Sequence, residues 1–479
     1  MTKLKTNLSY SIAYQILNII LPLITAPYIA RVLGVTGVGL YSYSFAIMNN
    51  FQIFAMLGIT NHGSRTIAFA MTPEERSKRF GEIYSIQCLS HIIIGTIYIA
   101  YSYTHLCVDH NLAVIIGIGI LSSLLDISWL FFGLEEFKLT VIRNFFVKIA
   151  TTIFIFIFVK DANDLYLYAA IMALGTLISQ SYLWFYIRKY IKWITPSLYL
   201  IRKNIKPIMV LFIPIVSFSI YKILSKIILG AMSSIEEVGL FENASKLLNV
   251  PLGFISAVGT VMIPRISTLL KEKDMNKVEE FLGISIKMNT IIMSCLSFGL
   301  ISISTPVILF LFGEEFKGSS PILSLLSISL LFIAWANVIR TQWLIPSNHN
   351  QIYVTSTIGG AIVSVMSNLL LIPIYGGIGA AISSVLSEAF IFFSYLFFMK
   401  KYKISCGDFV RSIPYVVFGI IMFIVIYFYM SEIKHELSNF TLLTSSILIG
   451  AVVYIIQVIL YVRFSDQQVY HLILRIIQK

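Results

Sequence analysis

Four charged residues stand inside two consecutive apolar stretches of the chain, where ionised side chains are rare. Lys222 and Lys226 lie four residues apart in one stretch, and Glu242 and Lys246 repeat that spacing in the next. Residues four apart share a helix face, so the two lysines would present their ammonium groups together and could bind an anion. The alternatives are that the lysines snorkel to the membrane interface and that Glu242 pairs with Lys246 on its own helix.

Five further charges lie within or at the ends of apolar stretches. Arg31 would either contact an anionic substrate or pack a hairpin turn, and Lys287 would either meet that substrate from the cytoplasm or snorkel. Asp126 and Lys148 have matched depths in neighbouring stretches, which predicts a structural ion pair, with proton coupling at Asp126 as the alternative. Glu388 has no obvious partner, and because burial raises a carboxyl pKa it is a candidate for ion coupling.

The elements that hold these residues must cross a membrane. The 479 residues are 57% hydrophobic and only 12% charged, whereas soluble domains carry roughly 25% charged residues. The net charge of +12 does not indicate nucleic-acid binding, because the basic residues lie between apolar stretches and not on one patch. The four cysteines and seven histidines have no metal-binding spacing, and no phosphate-binding loop motif is present. We therefore expect no metal and no cofactor.

About fourteen stretches are long enough to span a bilayer as helices, which predicts an all-α integral membrane protein. They lie near 9–30, 38–58, 82–103, 112–133, 141–159, 165–187, 209–231, 240–263, 284–305, 319–340, 353–372, 376–398, 414–430 and 440–462. Basic residues concentrate in alternate loops, above all in 188–208, which predicts that both termini are cytoplasmic. The opposite loops are all short.

An internal repeat suggests how the helices are grouped. The segment 38–41 reads Val-Gly-Leu-Tyr and the segment 238–241 reads Val-Gly-Leu-Phe, each at the start of the second helix of a predicted half. Two halves of the same orientation are related by an axis along the membrane normal. We therefore expect two pseudo-symmetric six-helix bundles, at 1–208 (with a basic cytoplasmic linker) and 209–400. Two additional helices and a cytoplasmic tail occupy 401–479.

Several motifs resemble those of one known family. DISWLFFGLEEFK at 126–138 resembles the fourth-helix signature of bacterial polysaccharide-repeat flippases, the Wzx-type members of the MATE-like MOP superfamily. ITNHGSRTIA at 59–68 resembles their loop after the first hairpin. LFGEEF at 311–316, QWLIP at 342–346 and NLLLIPIYGGIGAAISSVLSE at 368–388 are similar to their C-terminal half.

The resemblance implies a fold and a function. The fold would be MATE-like, with two bundles around a central cavity that opens alternately to each side of the membrane. The substrate would be an oligosaccharide repeat unit on undecaprenyl diphosphate, flipped across the bacterial inner membrane for capsule, O-antigen or exopolysaccharide assembly. Membrane lipid would be a partner, with a polysaccharide polymerase and export proteins as possible further ones. The cationic candidates for the diphosphate are then Lys222, Lys226, Lys246, Arg31 and Lys287, and we expect at least two of the first three to face the cavity.

Amide side chains are candidates for the sugars of such a substrate. Asn49, Asn50 and Gln52 lie in the second predicted helix and Gln180 in the sixth, where amides equally join helices to one another. Two other classes of protein stay open. A multidrug or cation antiporter would have an apolar cavity with acidic residues, whereas the candidates here are mostly basic. A membrane enzyme of glycolipid polymerisation would have a large outer loop with catalytic residues, so we expect no enzymatic activity.

Overall fold

The computed structural model describes residues 2–194, 196–272, 274–402, 404–433 and 438–466. These residues are helical, with no strand among them, which confirms the predicted fold class. The chain divides into two compact units, Met1–Gly239 and Leu240–Lys479. The division falls inside one helix, and the residues 209–239 that the predicted boundary assigns to the second bundle belong to the first unit.

The first unit contains nine helices in its described part and the start of a tenth. They are α1 (Thr2–Met56), α2 (Ile59–Ala68), α3 (Pro73–Ser102), α4 (His110–Leu124), α5 (Ser128–Gly133), α6 (Phe137–Phe158), α7 (Leu165–Tyr182), α8 (Trp184–Ile187), α9 (Leu198–Met232) and α10 (Ile235–Leu247).

The second unit contains the end of α10 and eight further helices in its described part. They are α11 (Asn249–Lys271), α12 (Met275–Ser302), α13 (Ser304–Phe312), α14 (Ser319–Ile339), α15 (Asn350–Lys401), α16 (Gly407–Arg411), α17 (Ile413–Ile433) and α18 (Asn439–Phe464). A π-helical turn at Arg340–Leu344 follows α14.

Two of these helices are each made of two predicted spans. Gly34 interrupts α1 with φ 67° and ψ −179°, and Gly376 interrupts α15 with φ 55° and ψ −130°. Both glycines have positive φ, a backbone region that favours residues without a Cβ. The chain therefore turns at Gly34 and at Gly376, where the sequence analysis places short loops.

Ten helical stretches in the described residues are long and apolar enough to cross a membrane. Two of them, Ile20–Ala68 and Asn350–Lys401, each cover two predicted spans. The predicted spans 209–231 and 240–263 fall on α9 and on α10 with α11, outside those ten. Every predicted span thus coincides with helix, whereas the count of fourteen membrane crossings stays a prediction.

The fourth-helix signature motif forms a helix break and not a continuous span. The backbone leaves the helical path between α4 and α5. There the side-chain amide nitrogen of Gln87 donates to the backbone carbonyl oxygens of Ser123, Leu124 and Asp126 at 2.9–3.0 Å. Trp129 is fully buried and donates its indole N–H to the Gln87 oxygen at 3.0 Å. The break is therefore stable in an apolar setting because side chains replace the missing backbone hydrogen bonds.

Candidate functional site

The first candidate region is the face of α9 that packs on α1 after its break. Ser219 donates a hydrogen bond to the Asn50 oxygen at 3.0 Å, while the Asn50 amide N–H₂ bonds the Ala46 carbonyl at 3.0 Å. Further along α9, Gly230 lies against the ring of Tyr43 so closely that a Cβ there would overlap it. Asn50 therefore joins two helices of the first unit, which is the role that the sequence analysis gave as the alternative to sugar binding.

Lys226 lies between those two contacts. It is seven residues after Ser219 and four before Gly230, so the helical repeat places all three on the same face of α9. Its side chain is half-buried. The position is thus a protein-facing one in the first unit, where a charge is costly and marks a candidate functional residue. The side chain of Lys222 lies outside the described part of the structure.

The repeated Val-Gly-Leu motif forms a close helix crossing. A Cβ on Gly39 would collide with the carbonyl oxygen of Ile235, and a Cβ on Gly239 would collide with that of Val35. Glycine at both places is required because the two backbones touch. Arg31 is exposed and lies in the last turn of the first segment of α1, three residues before the break at Gly34.

One carboxylate, that of Glu236, lies at this helix crossing. Thr36 donates a hydrogen bond to Glu236 Oε1 at 3.3 Å, and both side chains are exposed. Glu236 lies before the eighth predicted span, and a hydrogen bond from its own backbone amide, followed by one from Ser234, holds the pKa of its carboxyl below the usual value. Glu236 therefore stays ionised at neutral pH.

In the second unit, Glu242 and Lys246 form an ion pair within α10. The ammonium nitrogen lies 3.6 Å from Glu242 Oε1 and 3.5 Å from the oxygen of Asn243. The two charged side chains are 16% and 27% exposed. This pairing is the alternative to a transport role that the sequence analysis gave for Glu242. It still leaves the Lys246 side chain partly exposed.

Lys287 is buried in an ion pair, whereas the sequence analysis expected a cation accessible to substrate or to the membrane interface. Its ammonium lies 3.0 Å from Asp466 Oδ1, and the two side chains are 5% and 7% exposed. Tyr415 donates its hydroxyl to the other carboxylate oxygen of Asp466 at 2.9 Å. The pair joins α12 to the residues that follow α18, so Lys287 neither snorkels nor presents its charge to a substrate. Sequence analysis did not single out Asp466, which follows the last apolar stretch.

Asp126, which is predicted to pair with Lys148, has local hydrogen-bond partners. Asp126 lies in the break between α4 and α5, where its carboxylate accepts hydrogen bonds from the backbone N–H of Ser128 at 2.9 Å and from the Ser128 hydroxyl. Among the described residues, no ion pair joins Asp126 to Lys148, which is half-buried on α6. A carboxylate that accepts the backbone N–H two residues later, at the first residue of α5, has a local reason to be there.

The structure adds a cation that sequence analysis overlooked. Arg143 on α6 is 5% exposed, and its guanidinium donates to Gln180 Oε1 at 2.9 Å and to the Asn144 oxygen at 2.9 and 3.1 Å. Ser179 donates to the same Asn144 oxygen at 3.1 Å. Amide oxygens thus contact this arginine within α6, and Lys148 follows five residues later on the same helix. The sequence could have indicated Arg143 as a candidate, because it lies inside the predicted span 141–159.

Glu388 is buried, 8% exposed, in the second segment of α15. Tyr395, two turns later, lies within electrostatic range of both Glu388 and Arg340. The guanidinium of Arg340 lies 5.8 Å from the ring centre of Tyr353. The burial of this carboxyl is compatible with ion coupling and with a structural role alike.

No group of three or more His, Cys, Asp or Glu side chains in the described residues could hold a metal ion. The charges of each unit are dispersed along helices in ones and twos. Such an arrangement offers single charges that could contact an anionic group.

Comparison with solved structures identifies the fold. A lipid II flippase, MurJ, in an inward closed conformation matches with a TM-score of 0.77 and 17% identity, over 95% of this chain and 99% of that chain. An inward-facing multidrug resistance MATE family transporter of the MOP superfamily matches with a TM-score of 0.62 and 13% identity, over 80% of this chain and 95% of that one. The fold is that of these membrane carriers, as predicted.

Sequence comparison identifies the family. The family model described as polysaccharide biosynthesis protein matches residues 4–270, and the chain belongs to that family. A putative O-antigen transporter of Shigella dysenteriae is 28% identical over 400 residues, which are 81% of this chain and 96% of the relative. The chain is thus a membrane transport protein and not an enzyme.

Proposed function

We propose that this protein flips undecaprenyl-diphosphate-linked oligosaccharide repeat units from the inner to the outer leaflet of the bacterial inner membrane. The observation that carries the proposal is the cationic character of the candidate residues in a chain of this family: Lys226 on the α1-facing side of α9, buried Arg143 on α6, and Lys246 on α10. The diphosphate is the one group that every such substrate shares, and cations are its natural partners.

The energetics favour several modest contacts over one strong one. At an effective dielectric of about 20, one cation about 4 Å from a phosphate charge contributes roughly 4 kcal/mol. Two or three such contacts would offset part of the lost hydration without trapping the substrate. Lys222, Lys226, Lys246, Arg31 and Arg143 are the residues we assign to this role. Lys287 is left out because Asp466 neutralises it.

Direction can come from the membrane potential. A diphosphate with about two negative charges is driven outward by an inside-negative potential, by about 4.6 kcal/mol per 100 mV at 2.3 kcal/mol per charge. Glu388 is the carboxyl we assign to any additional ion coupling. Both termini would be cytoplasmic, as the loop charges indicate, and a polysaccharide polymerase on the outer side would receive the product.

The test is export by a deletion strain that expresses each variant at matched protein level. Lys226→Ala should lower surface polysaccharide at least tenfold, since loss of about 1.4 kcal/mol of substrate binding already gives that factor. Lys226→Arg should restore part of it, because the charge and the phosphate affinity are kept. Lipid-linked repeat units should accumulate on the cytoplasmic leaflet of the Ala strain.

The matched control is Lys78→Ala, which removes an exposed lysine of the same unit that pairs with Glu74 at 3.1 Å. It should leave export unchanged, because exposed pairs of this kind contribute little. Normal polysaccharide from Lys226→Ala, with the protein monodisperse in detergent, would remove this lysine from the mechanism. Abolished export of a toxic cation, with polysaccharide unaffected, would favour the antiporter instead.

A further inference from the structure

A cavity of about 770 Å³ lies within the second unit, and none of the cations assigned to the diphosphate is among its lining residues. It is enclosed by the end of α12, by α13 and α14, and by the facing turns of α17 and α18. Its volume is within the range typical of small-molecule sites, about 300–1,000 Å³. Under the predicted topology these helix ends belong to the outer side of the membrane.

Hydroxyl groups are the commonest polar groups on the wall of this cavity. They belong to Ser302, Ser304, Thr305, Ser324, Tyr427 and Ser431. Several use their hydrogen inside the protein: Ser302 donates to the Phe298 carbonyl at 2.7 Å and Ser324 donates to Ser304 at 2.9 Å. Their oxygens therefore remain acceptors toward a ligand that brings its own hydroxyl donors.

An aromatic wall faces these hydroxyls. Tyr427 and Phe423 are one turn apart on α17, with ring centres 6.2 Å apart and planes tilted by 34°. Tyr427 is 62% exposed, and the nearby Leu442 is buried, 4% exposed. At the rim, Glu314 and Lys317 are both exposed and add one acceptor and one donor.

We propose that this cavity binds carbohydrate, namely the oligosaccharide of a repeat unit on the extracytoplasmic side. A sugar ring presents one apolar C–H face, which suits an exposed tyrosine ring, and a rim of hydroxyls, which suits the serine and threonine side chains. A hydrocarbon tail would not use this many polar groups. The inference rests on the proposed function, because flipping is what brings the oligosaccharide to this side.

The experiment measures binding separately from flipping. The probe is the lipid-free repeat unit, released by mild acid from the lipid extract of the deletion strain, and the purified full-length protein is held in nanodiscs. Saturation-transfer NMR should detect binding to the unmodified protein. Tyr427→Ala should weaken it roughly fivefold, the loss expected for one stacking partner.

Phe428→Ala is the matched control, because Phe428 is the next residue on α17 and is 63% exposed but does not line the cavity. It should bind the probe as the unmodified protein does. Equal binding by the Tyr427 and Phe428 variants would overturn the assignment, as would loss of bound phospholipid from the Tyr427 variant with binding of the probe unchanged.

Flipping of lipid-linked repeat units in liposomes keeps the two proposals apart. If the unmodified protein flips the lipid-linked unit but does not bind the free oligosaccharide, the cavity assignment fails and the proposed function stands. If it binds the oligosaccharide but flips nothing, the proposed function fails. Phe428→Ala should flip normally, since Phe428 is neither one of the cationic residues nor part of the cavity wall.

Discussion

The buried pair of Lys287 and Asp466 gives the sharpest prediction about stability. At 3.0 Å and an effective dielectric of about 20, the two charges attract by about 5.5 kcal/mol, part of which only offsets the desolvation of both groups. Asp466→Asn keeps the shape but leaves the Lys287 ammonium buried without its counter-charge. Breaking a buried pair from one side costs about 3–5 kcal/mol.

The expected consequence is a lower melting temperature of the second unit. For a domain of 150–250 residues, about 1 kcal/mol shifts Tm by roughly 2–4 °C, so Asp466→Asn should lower it by roughly 6–20 °C. A thiol-reactive dye can report the transition, because all four cysteines are partly buried in the folded protein. The measurement is a thermal scan in detergent at one fixed protein concentration.

Two further variants decide whether the reasoning holds. Lys277→Met removes the pair of Lys277 with Asp274, whose N–O distance is 2.7 Å and whose lysine is 59% exposed. This variant should change Tm little, because water screens exposed pairs. The double variant Lys287→Met with Asp466→Leu should recover most of the loss, since an apolar pair needs no counter-charge. If Asp466→Asn melts where Lys277→Met does, the pair does not stabilise the unit as argued.

Three other predictions concern the first unit. Gly39→Leu should abolish export, because its side chain would force apart two touching backbones, whereas Gly95→Ala, with its nearest neighbouring atom 3.8 Å from the new Cβ, should export normally. Asp126→Asn should melt close to the unmodified protein, whereas Asp126→Ala should lose about 1 kcal/mol in the same dye assay, because the Ser128 N–H loses its acceptor. Arg143→Lys should lower Tm, because an ammonium cannot reproduce the planar fork that bonds two amide oxygens.

Features governed by local spacing were predictable from the sequence. Apolar length predicted the helices, because the bilayer fixes that length. The pairing of Glu242 with Lys246 was foreseen as one of two alternatives, since a separation of four residues fixes their distance on a helix. The turns at Gly34 and Gly376 coincide with predicted loops because a glycine there permits positive φ.

Features governed by packing between distant segments were not predictable in this way. Matched depth on neighbouring helices suggested that Asp126 meets Lys148, but depth says nothing about rotation around the helix axis. Asp126 instead bonds Ser128, two residues away. Lys287 finds its partner 179 residues later, beyond the final apolar stretch, where spacing rules have no reach. A single sequence has no signal for such a pair.

The contrast between Lys287 and Lys226 shows how charge can be assigned to structure or to transport. Both are lysines in apolar helices, yet Lys287 is almost fully enclosed and carries a carboxylate at 3.0 Å, while Lys226 is half-buried on a face that otherwise holds a neutral amide–hydroxyl contact and a glycine. An ammonium fixed to a carboxylate cannot exchange that partner for phosphate without leaving a buried charge behind. A half-buried lysine is more accessible to an entering anion than a fully enclosed one. For this reason loss of Lys287 should appear first as a stability defect, and loss of Lys226 as a transport defect in a stable protein.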